Sequence, residues 1–250
     1  RKRHATEYVS LPGAGVTFCA FDVTRRPFDD LRVRRAFAFA LDRETLVAVH
    51  GSQTLLPATG GFVPQGMPGH APGIALPYDP GHARALLAEA GYAGGAGFPA
   101  VEMIVYPPGV GVWEAMVAQW NDNLGVEVNW QGLDWTEYSD RLYNDPSPIY
   151  SGGWVGDYPD PDNYLRVGLQ LHSAWREEQY FEAVERARRT LAQRQRLALY
   201  AQAQHILVQE VPILPITYHC TAFLIKPWVK RYPVSTLASR FWKDAVLEPH

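Results

Sequence analysis

Two hydrophobic periodicities alternate along residues 101–150, and this alternation constrains the fold more than any other feature of the chain. Three apolar runs rich in β-branched and aromatic residues predict strands, at 101–106, 126–130 and 149–150. Two stretches with helical spacing lie between them, at about 112–123 and 134–143, and the second has a capping-box-like start, with Glu137 three residues after Asp134. The order strand, helix, strand, helix, strand predicts an α/β fold built around a sheet.

The flanking regions add further elements. A strand is predicted at 16–21, and three helices in the first half begin at capping aspartates: Asp29 or Asp30, Asp42, and Asp79 followed by Pro80. The second half is mainly helical, with helices predicted at about 161–170, 178–191 and 194–210. Two strands follow, at 213–218 and 221–225, and Pro215 demotes the first to an edge or irregular position.

Composition narrows the class of protein. Hydrophobic residues make up 47% and charged residues 20%, which are values of a globular chain, and the net charge of −3 argues against nucleic acid as a partner. No apolar run is long enough for a membrane span, and no secretory signal is recognisable. The N-terminus is interpreted as a mature terminus or the edge of a longer chain. Cys19 and Cys220 are interpreted as small buried apolar residues, with a disulfide left open.

The loop GGWVGDYPDPDN at 152–163 holds the strongest candidate site. Asp157 follows Trp154 by three residues on a glycine-rich segment, so a carboxylate and an aromatic ring lie close together. Such a pair suits a ligand with a cationic group and an apolar side chain. Asp160 and Asp162 are interpreted instead as a helix cap and a first-turn charge. Paired carboxylates of a glycosidase are a weaker alternative, and the spacing does not fit a calcium loop.

Other chemistry-bearing patterns are not found in the sequence. It has no phosphate-binding loop, dinucleotide fingerprint, zinc-protease motif or nucleophile elbow. His205, within a predicted amphipathic helix, is interpreted as structural. The arginines near 186–196 are interpreted as a solvated helix face, where Glu182 and Glu185 are spaced to pair with Arg186 and Arg189.

Four segments together resemble the peptide-type solute-binding proteins of ABC importers, the oligopeptide, dipeptide and nickel family. They are FDDLRVRRAFAFALDR at 28–43, YDPGHARALLAEAGY at 78–92, GWVGDYPDPDN at 153–163 and VPILPI at 211–216. The resemblance implies one lobe of a two-lobe periplasmic-binding-protein fold, a mixed sheet flanked by helices. It places the ligand-binding second lobe at 1–226 and a segment returning toward a first lobe, absent from this chain, at 227–250.

The resemblance also implies roles for individual residues. Asp157 matches the carboxylate that pairs with the α-amino group of a bound peptide, and Trp154 matches the tryptophan beside it. Gly152 and Gly153 fall where the family's loop hydrogen-bonds an extended ligand backbone. Tyr158 is the fifth candidate ligand-binding residue.

The resulting functional hypothesis is a binding lobe for short peptides or similar amine-bearing solutes, without catalysis, cofactor or protein metal site. Its partners would be the missing first lobe and the membrane subunits of the importer, in an extracytoplasmic location. Two alternatives stay open: a cytoplasmic sensor domain of a longer regulator, and a nickel or metal-chelate binder of the same family.

Overall fold

The computed structural model describes residues 4, 6–51, 54–106, 111–232, 237 and 242–249. Its strands are β1 (Tyr8–Phe21), β2 (Leu55–Pro57), β3 (Val101–Val105), β4 (Val128–Gly132), β5 (Ile149–Val155), β6 (Ile213–Leu224), β7 (Val229–Arg231) and β8 (Val246–Leu247). Its helices are α1 (Leu31–Phe39), α2 (Arg43–His50), α3 (Pro80–Glu89), α4 (Val112–Leu124), α5 (Trp135–Asn144), α6 (Leu169–His172), α7 (Glu178–Arg189) and α8 (Gln193–Glu210). A π-helical stretch, Asn163–Gly168, leads into α6.

Strands β1 to β6 form one six-stranded sheet in the order β2-β6-β1-β5-β3-β4. Strand β3 pairs in parallel with both β4 and β5, as crossover connections through α4 and α5 require. Strand β1 is antiparallel to both β5 and β6. The sheet is therefore mixed, and the predicted α/β unit over 101–150 is confirmed.

Helix boundaries follow the predicted capping chemistry. Four aspartates cap helices, because each carboxylate accepts a backbone N–H from the residue two or three positions further along the chain: Asp30, Asp42, Asp79 and Asp134. After α4, Gly125 adopts φ 71°, a left-handed conformation that glycine reaches without steric cost.

Side chains on the two faces of the sheet form two hydrophobic cores. One core packs β1 and β3 against α1 and α4, where the fully buried Trp120 donates its indole N–H to the Phe37 carbonyl at 2.8 Å. The other packs β1 against the segments 58–67, 163–169 and α7–α8, around Phe18 and Tyr164. Both faces of β1 and of the start of β5 are therefore covered.

Strand β6 differs from prediction because it is continuous. The predicted break at 219–220 does not occur, since β6 pairs with β1 from Ile213 to Leu224. Pro215 lies at a register shift opposite Phe18, so its predicted irregular position is confirmed. Cys19 and Cys220 are both free; Cys19 is buried, and Cys220 is half-buried.

The strands β7 and β8 form a separate two-stranded ribbon beyond the main sheet. The lobe boundary at 226 stays a prediction. Among the described residues, no helix combines the length and the apolar character needed to cross a membrane.

Candidate functional site

Backbone hydrogen bonds along β5 alternate between the neighbouring strand β1 and the opposite side. The Gly156 N–H donates to the Ala14 carbonyl at 3.2 Å, on the antiparallel β1–β5 register. Hydrogen-bonded pairs recur at every second residue of such a ladder, so the peptide groups of Trp154 and Gly152 also face β1. The alternate peptide groups face away from β1: those of Ser151, Gly153 and Val155.

The far side of β5 is open toward its end. Among the residues that the structure describes, β3 pairs with β5 at Ile149 and Tyr150 and no strand pairs with this side of β5 beyond them. Gly153 is exposed there, and Val155 is 56% exposed. The backbone donors and acceptors of Gly153 and Val155 therefore lie at the kind of sheet edge that accepts an added strand.

The two glycines of this strand differ in the space around them. A Cβ on Gly152 would lie 2.4 Å from the ring of Phe18, whereas the nearest atom to a Cβ on Gly153 would be the Val16 carbonyl oxygen at 3.8 Å. Gly152 is thus required by packing, and Gly153 is the glycine with open space beside it.

The turn after β5 is held in place by two hydrogen bonds to one backbone carbonyl, that of Ala14. The Ala14 oxygen accepts both the Gly156 N–H and the Tyr164 hydroxyl, the latter at 2.6 Å. A Cβ on Gly156 would lie 2.5 Å from that hydroxyl, so this position also needs glycine. This arrangement determines where the chain leaves the sheet and presents Asp157.

A buried asparagine joins the two main candidate residues. The Asn163 Oδ1 accepts the Trp154 indole N–H at 2.8 Å and the Asp157 backbone N–H at 3.1 Å. Its Nδ2 donates to Asp157 Oδ2 at 3.0 Å. Asn163 is completely buried and Asp157 is exposed. The carboxylate is therefore oriented through one oxygen while its face stays open to a cationic ligand.

Trp154 is half-buried beside this contact. Its ring centroid lies 6.0 Å from that of His172, and a Cβ on Gly168 would lie 3.1 Å from the indole. The indole is therefore positioned by both packing and its hydrogen bond to Asn163. Sequence reasoning missed Asn163. Its position at the helix start, six residues after Asp157, was the available signal, but the same position suits an ordinary first-turn residue.

Asp160 and Asp162 connect the loop to the helices behind it. Asp160 accepts the Asp162 N–H at 2.9 Å, which confirms the predicted cap, and forms a two-pronged ion pair with Arg196 at 2.7 and 2.8 Å. Asp162, the predicted first-turn charge, is buried, and Arg166 contacts it at 2.5 Å and Arg188 at 3.7 Å.

The prediction of a solvated arginine face is wrong for Arg196, which is largely buried against Asp160, whereas Arg188 is exposed as predicted. Of the predicted pairs, Glu185 with Arg189 is confirmed at 2.7 Å. Glu185 also pairs with Arg188, which was not among the predicted pairs.

Tyr158, the fifth candidate, is 38% exposed. Its hydroxyl donates to Asp162 Oδ2 at 2.9 Å and lies 3.4 Å from the Arg166 guanidinium. The ring therefore lies at the loop surface while its hydroxyl belongs to the Asp162 ion-pair network.

We expect Asp162→Asn to destabilise the protein in a pH-dependent way. Burial acts to raise the pKa of Asp162, but hydrogen bonds from Arg166 and Tyr158 and the charges of Arg166 and Arg188 outweigh it, so the pKa lies below its ordinary value of 3.8. The ionised form is thus favoured by folding, and its stabilisation is present above pH 3.8 and lost as pH falls through the folded-state pKa. Urea unfolding should show a gap between variant and wild type at pH 7 that narrows below pH 3.8. A gap of constant size would contradict this.

Comparison with known proteins places these features in a family. Residues 1–171 match the family described as "Bacterial extracellular solute-binding proteins, family 5 Middle". The chain is 33% identical over 226 residues to di/tripeptide-binding protein 3 of Pseudomonas aeruginosa, covering 86% of this chain and 42% of that protein. It is 29% identical over 238 residues to the periplasmic murein peptide-binding protein MppA of Escherichia coli, covering 90% of this chain and 44% of that protein.

Solved structures agree with the sequence matches. The unliganded open form of the periplasmic murein tripeptide-binding protein MppA superposes with a TM-score of 0.85 at 25% identity, covering all of this chain and 50% of that one. The mixed sheet flanked by helices is the fold of one lobe of the two-lobe periplasmic binding proteins. The chain belongs to family 5 of the bacterial extracellular solute-binding proteins. It spans less than half the length of the curated relatives it matches.

Proposed function

We propose that this chain is the peptide-binding lobe of an ABC-importer solute-binding protein and binds short peptides or similar amine-bearing solutes without transforming them. The observation that carries the proposal is the exposed Asp157 carboxylate, oriented by buried Asn163 at the end of the open β5 edge. The relatives named for di- and tripeptide or murein-peptide binding support the choice of ligand.

In the proposed complex the ligand ammonium pairs with Asp157. An ammonium–carboxylate hydrogen bond contributes roughly 1.5–3 kcal/mol net. The ligand backbone then adds as a strand to the open edge of β5, where Gly153 and Val155 present outward-facing peptide groups. Gly152 supports this edge through its packing on Phe18 rather than by bonding the ligand. Trp154 supplies the aromatic surface beside the ammonium.

The test is the variant Asp157→Asn in the full-length native polypeptide, with Ala-Ala-Ala binding measured by calorimetry. The amide keeps the size of the side chain and removes its charge, so affinity for the free-amine peptide should fall roughly 10- to 150-fold. N-acetyl-Ala-Ala-Ala has no ammonium and should bind weakly to both proteins, with little difference between them. Equal affinity of wild type and variant for the free-amine peptide, with both proteins folded, would overturn the proposal.

The relatives also support a proposal for the location and the partners of the protein. The periplasmic naming of the relatives supports an extracytoplasmic location, with a second lobe and the importer's membrane subunits as partners. The sensor alternative and its cytoplasmic location gain no support from the relatives. For the metal alternative, the described part of the chain contains no group of three or more His, Cys, Asp or Glu side chains placed to hold an ion.

A further inference from the structure

Three aromatic side chains stand together where β3 separates from β5. The ring centroids of Tyr106 and Trp135 are 5.2 Å apart, and those of Tyr106 and Tyr138 are 5.8 Å apart. Trp135 is 59% exposed and Tyr106 is 38% exposed, whereas Tyr138 is buried. We call Tyr106, Trp135 and Tyr138 the aromatic wall. Its two exposed rings form an apolar surface that the core of the lobe does not use.

Ser151 places the aromatic wall at the end of the open edge. Its hydroxyl oxygen accepts the Tyr106 N–H at 2.8 Å and donates to the Tyr106 carbonyl at 3.2 Å, so a side chain replaces the next step of the β3–β5 ladder. The outward-facing Ser151 carbonyl accepts the Tyr138 hydroxyl. Burial raises the pKa of Tyr138 to about 12, so this hydroxyl stays a donor at neutral pH.

The hydrogen bonds of Tyr106 and Tyr138 to Ser151 limit how many residues of a bound peptide can pair with the β5 edge. A ligand whose ammonium lies at Asp157 runs antiparallel to β5, with its first residue opposite Val155 and its third opposite Gly153, because bonded pairs recur every second residue. A fifth residue would lie opposite Ser151, and Tyr106 already takes that place by bonding the Ser151 hydroxyl through both its N–H and its carbonyl, with the Tyr138 hydroxyl on the Ser151 carbonyl. The edge therefore has room for about four residues, or about 14 Å at 3.4 Å per residue.

We propose that the aromatic wall reads the fourth residue of the ligand and favours an aromatic side chain there. Side chains alternate between the two faces of a strand, and the fourth residue, opposite Gly152, is on the face of Tyr150 and Tyr138, whereas the third is on the other face. This inference rests on the proposed function and adds a substrate class to it: tetrapeptides with an aromatic residue at the fourth position. The exposed faces of Trp135 and Tyr106 stack on that side chain. Continuity with the β5 edge identifies the occupant, because a strand that follows this edge away from Asp157 ends against these two rings.

The experiment compares peptide pairs on the full-length native polypeptide and on Trp135→Ala by calorimetry. The pairs are Ala-Phe against Ala-Ala, Ala-Ala-Phe against Ala-Ala-Ala, and Ala-Ala-Ala-Phe against Ala-Ala-Ala-Ala. In the wild type, phenylalanine at position four should improve affinity roughly 3- to 10-fold, and at positions two and three it should improve affinity less. The gain should disappear in Trp135→Ala, while the alanine peptides keep their affinity.

Tyr143→Ala is the matched control, because Tyr143 is a 75% exposed aromatic residue of the same helix and has no ring contact with the aromatic wall. The variant Tyr143→Ala should leave the affinity difference between phenylalanine and alanine peptides unchanged. An equal gain in wild type and Trp135→Ala would overturn the aromatic wall and leave the proposed function standing, provided Asp157→Asn still weakens the alanine peptides. Failure of every free-amine peptide to bind the wild type would overturn both.

Discussion

Replacing Asn163 with leucine is expected to destabilise the lobe by about 3 kcal/mol or more and to abolish measurable peptide binding. The substitution keeps the branched shape and the number of heavy atoms of the side chain but removes the acceptor for the Trp154 indole and the Asp157 N–H, and the donor to the Asp157 carboxylate. A buried polar contact broken from one side costs more than the bond itself, since the remaining partners lose hydration as well. Asp157 would also lose the contact that orients it.

Thermal unfolding and calorimetry together check this expectation. A loss of about 3 kcal/mol corresponds to a fall in Tm of roughly 6–12 °C for a domain of this size. Asn144→Leu is the control, because Asn144 is exposed on α5 and bonds only the surface residue Asp140, so its loss should change stability by about 0.5 kcal/mol or less. An Asn163→Leu protein that retains wild-type Tm and affinity would show that Asn163 does not organise the site.

The second large effect is expected for Gly152→Ala, which should cost about 3 kcal/mol of folding stability. The added methyl group would lie 2.4 Å from the Phe18 ring. That ring is fully buried and packs edge-on against Phe62 and His172, at centroid distances of 5.3 and 5.1 Å, so it cannot retreat without disturbing the second core. Overpacking of this kind costs roughly 1–3 kcal/mol, and the rigid surroundings place this site at the upper end.

Gly153→Ala supplies a control on the adjacent residue. Its methyl group would meet nothing closer than 3.8 Å, so stability should stay within about 0.5 kcal/mol of wild type. Urea unfolding of the two variants side by side checks the contrast. Equal destabilisation by both substitutions would mean that glycine is needed at both positions for backbone conformation rather than for packing on Phe18.

Local chemistry allowed most of the fold to be predicted from the sequence. The capping aspartates Asp30, Asp42, Asp79 and Asp134 start their helices because short carboxylates satisfy free N–H groups regardless of distant packing. The alternating segment 101–150 folds as predicted for a similar reason, since its periodicity is local. The continuity of β6 could not be predicted in this way, because it depends on a partner strand about 200 residues away.

The candidate site shows the same division. Asp157 and Trp154 are recognisable because a carboxylate and an indole in a glycine-rich loop have few structural uses. Asn163 is not recognisable, because its role arises only when the loop folds back on the helix start. The contact of Asp162 with Arg188 is likewise not recognisable, because Arg188 approaches from a separate helix. Contacts made across the fold leave little trace in the spacing of residues.

The long pairing of β1 with β6 has a mechanical consequence. The first residue of β1, Tyr8, lies opposite the last residue of β6, Leu224, and beyond them the Glu7 carboxylate contacts Lys226 at 3.1 Å. The start of β1 and the end of β6 therefore run side by side as one narrow ribbon. A second domain joined to both strands of this ribbon could change its orientation through bending of these two strands. Both cores and the loop around Asp157 would then move together as one rigid unit.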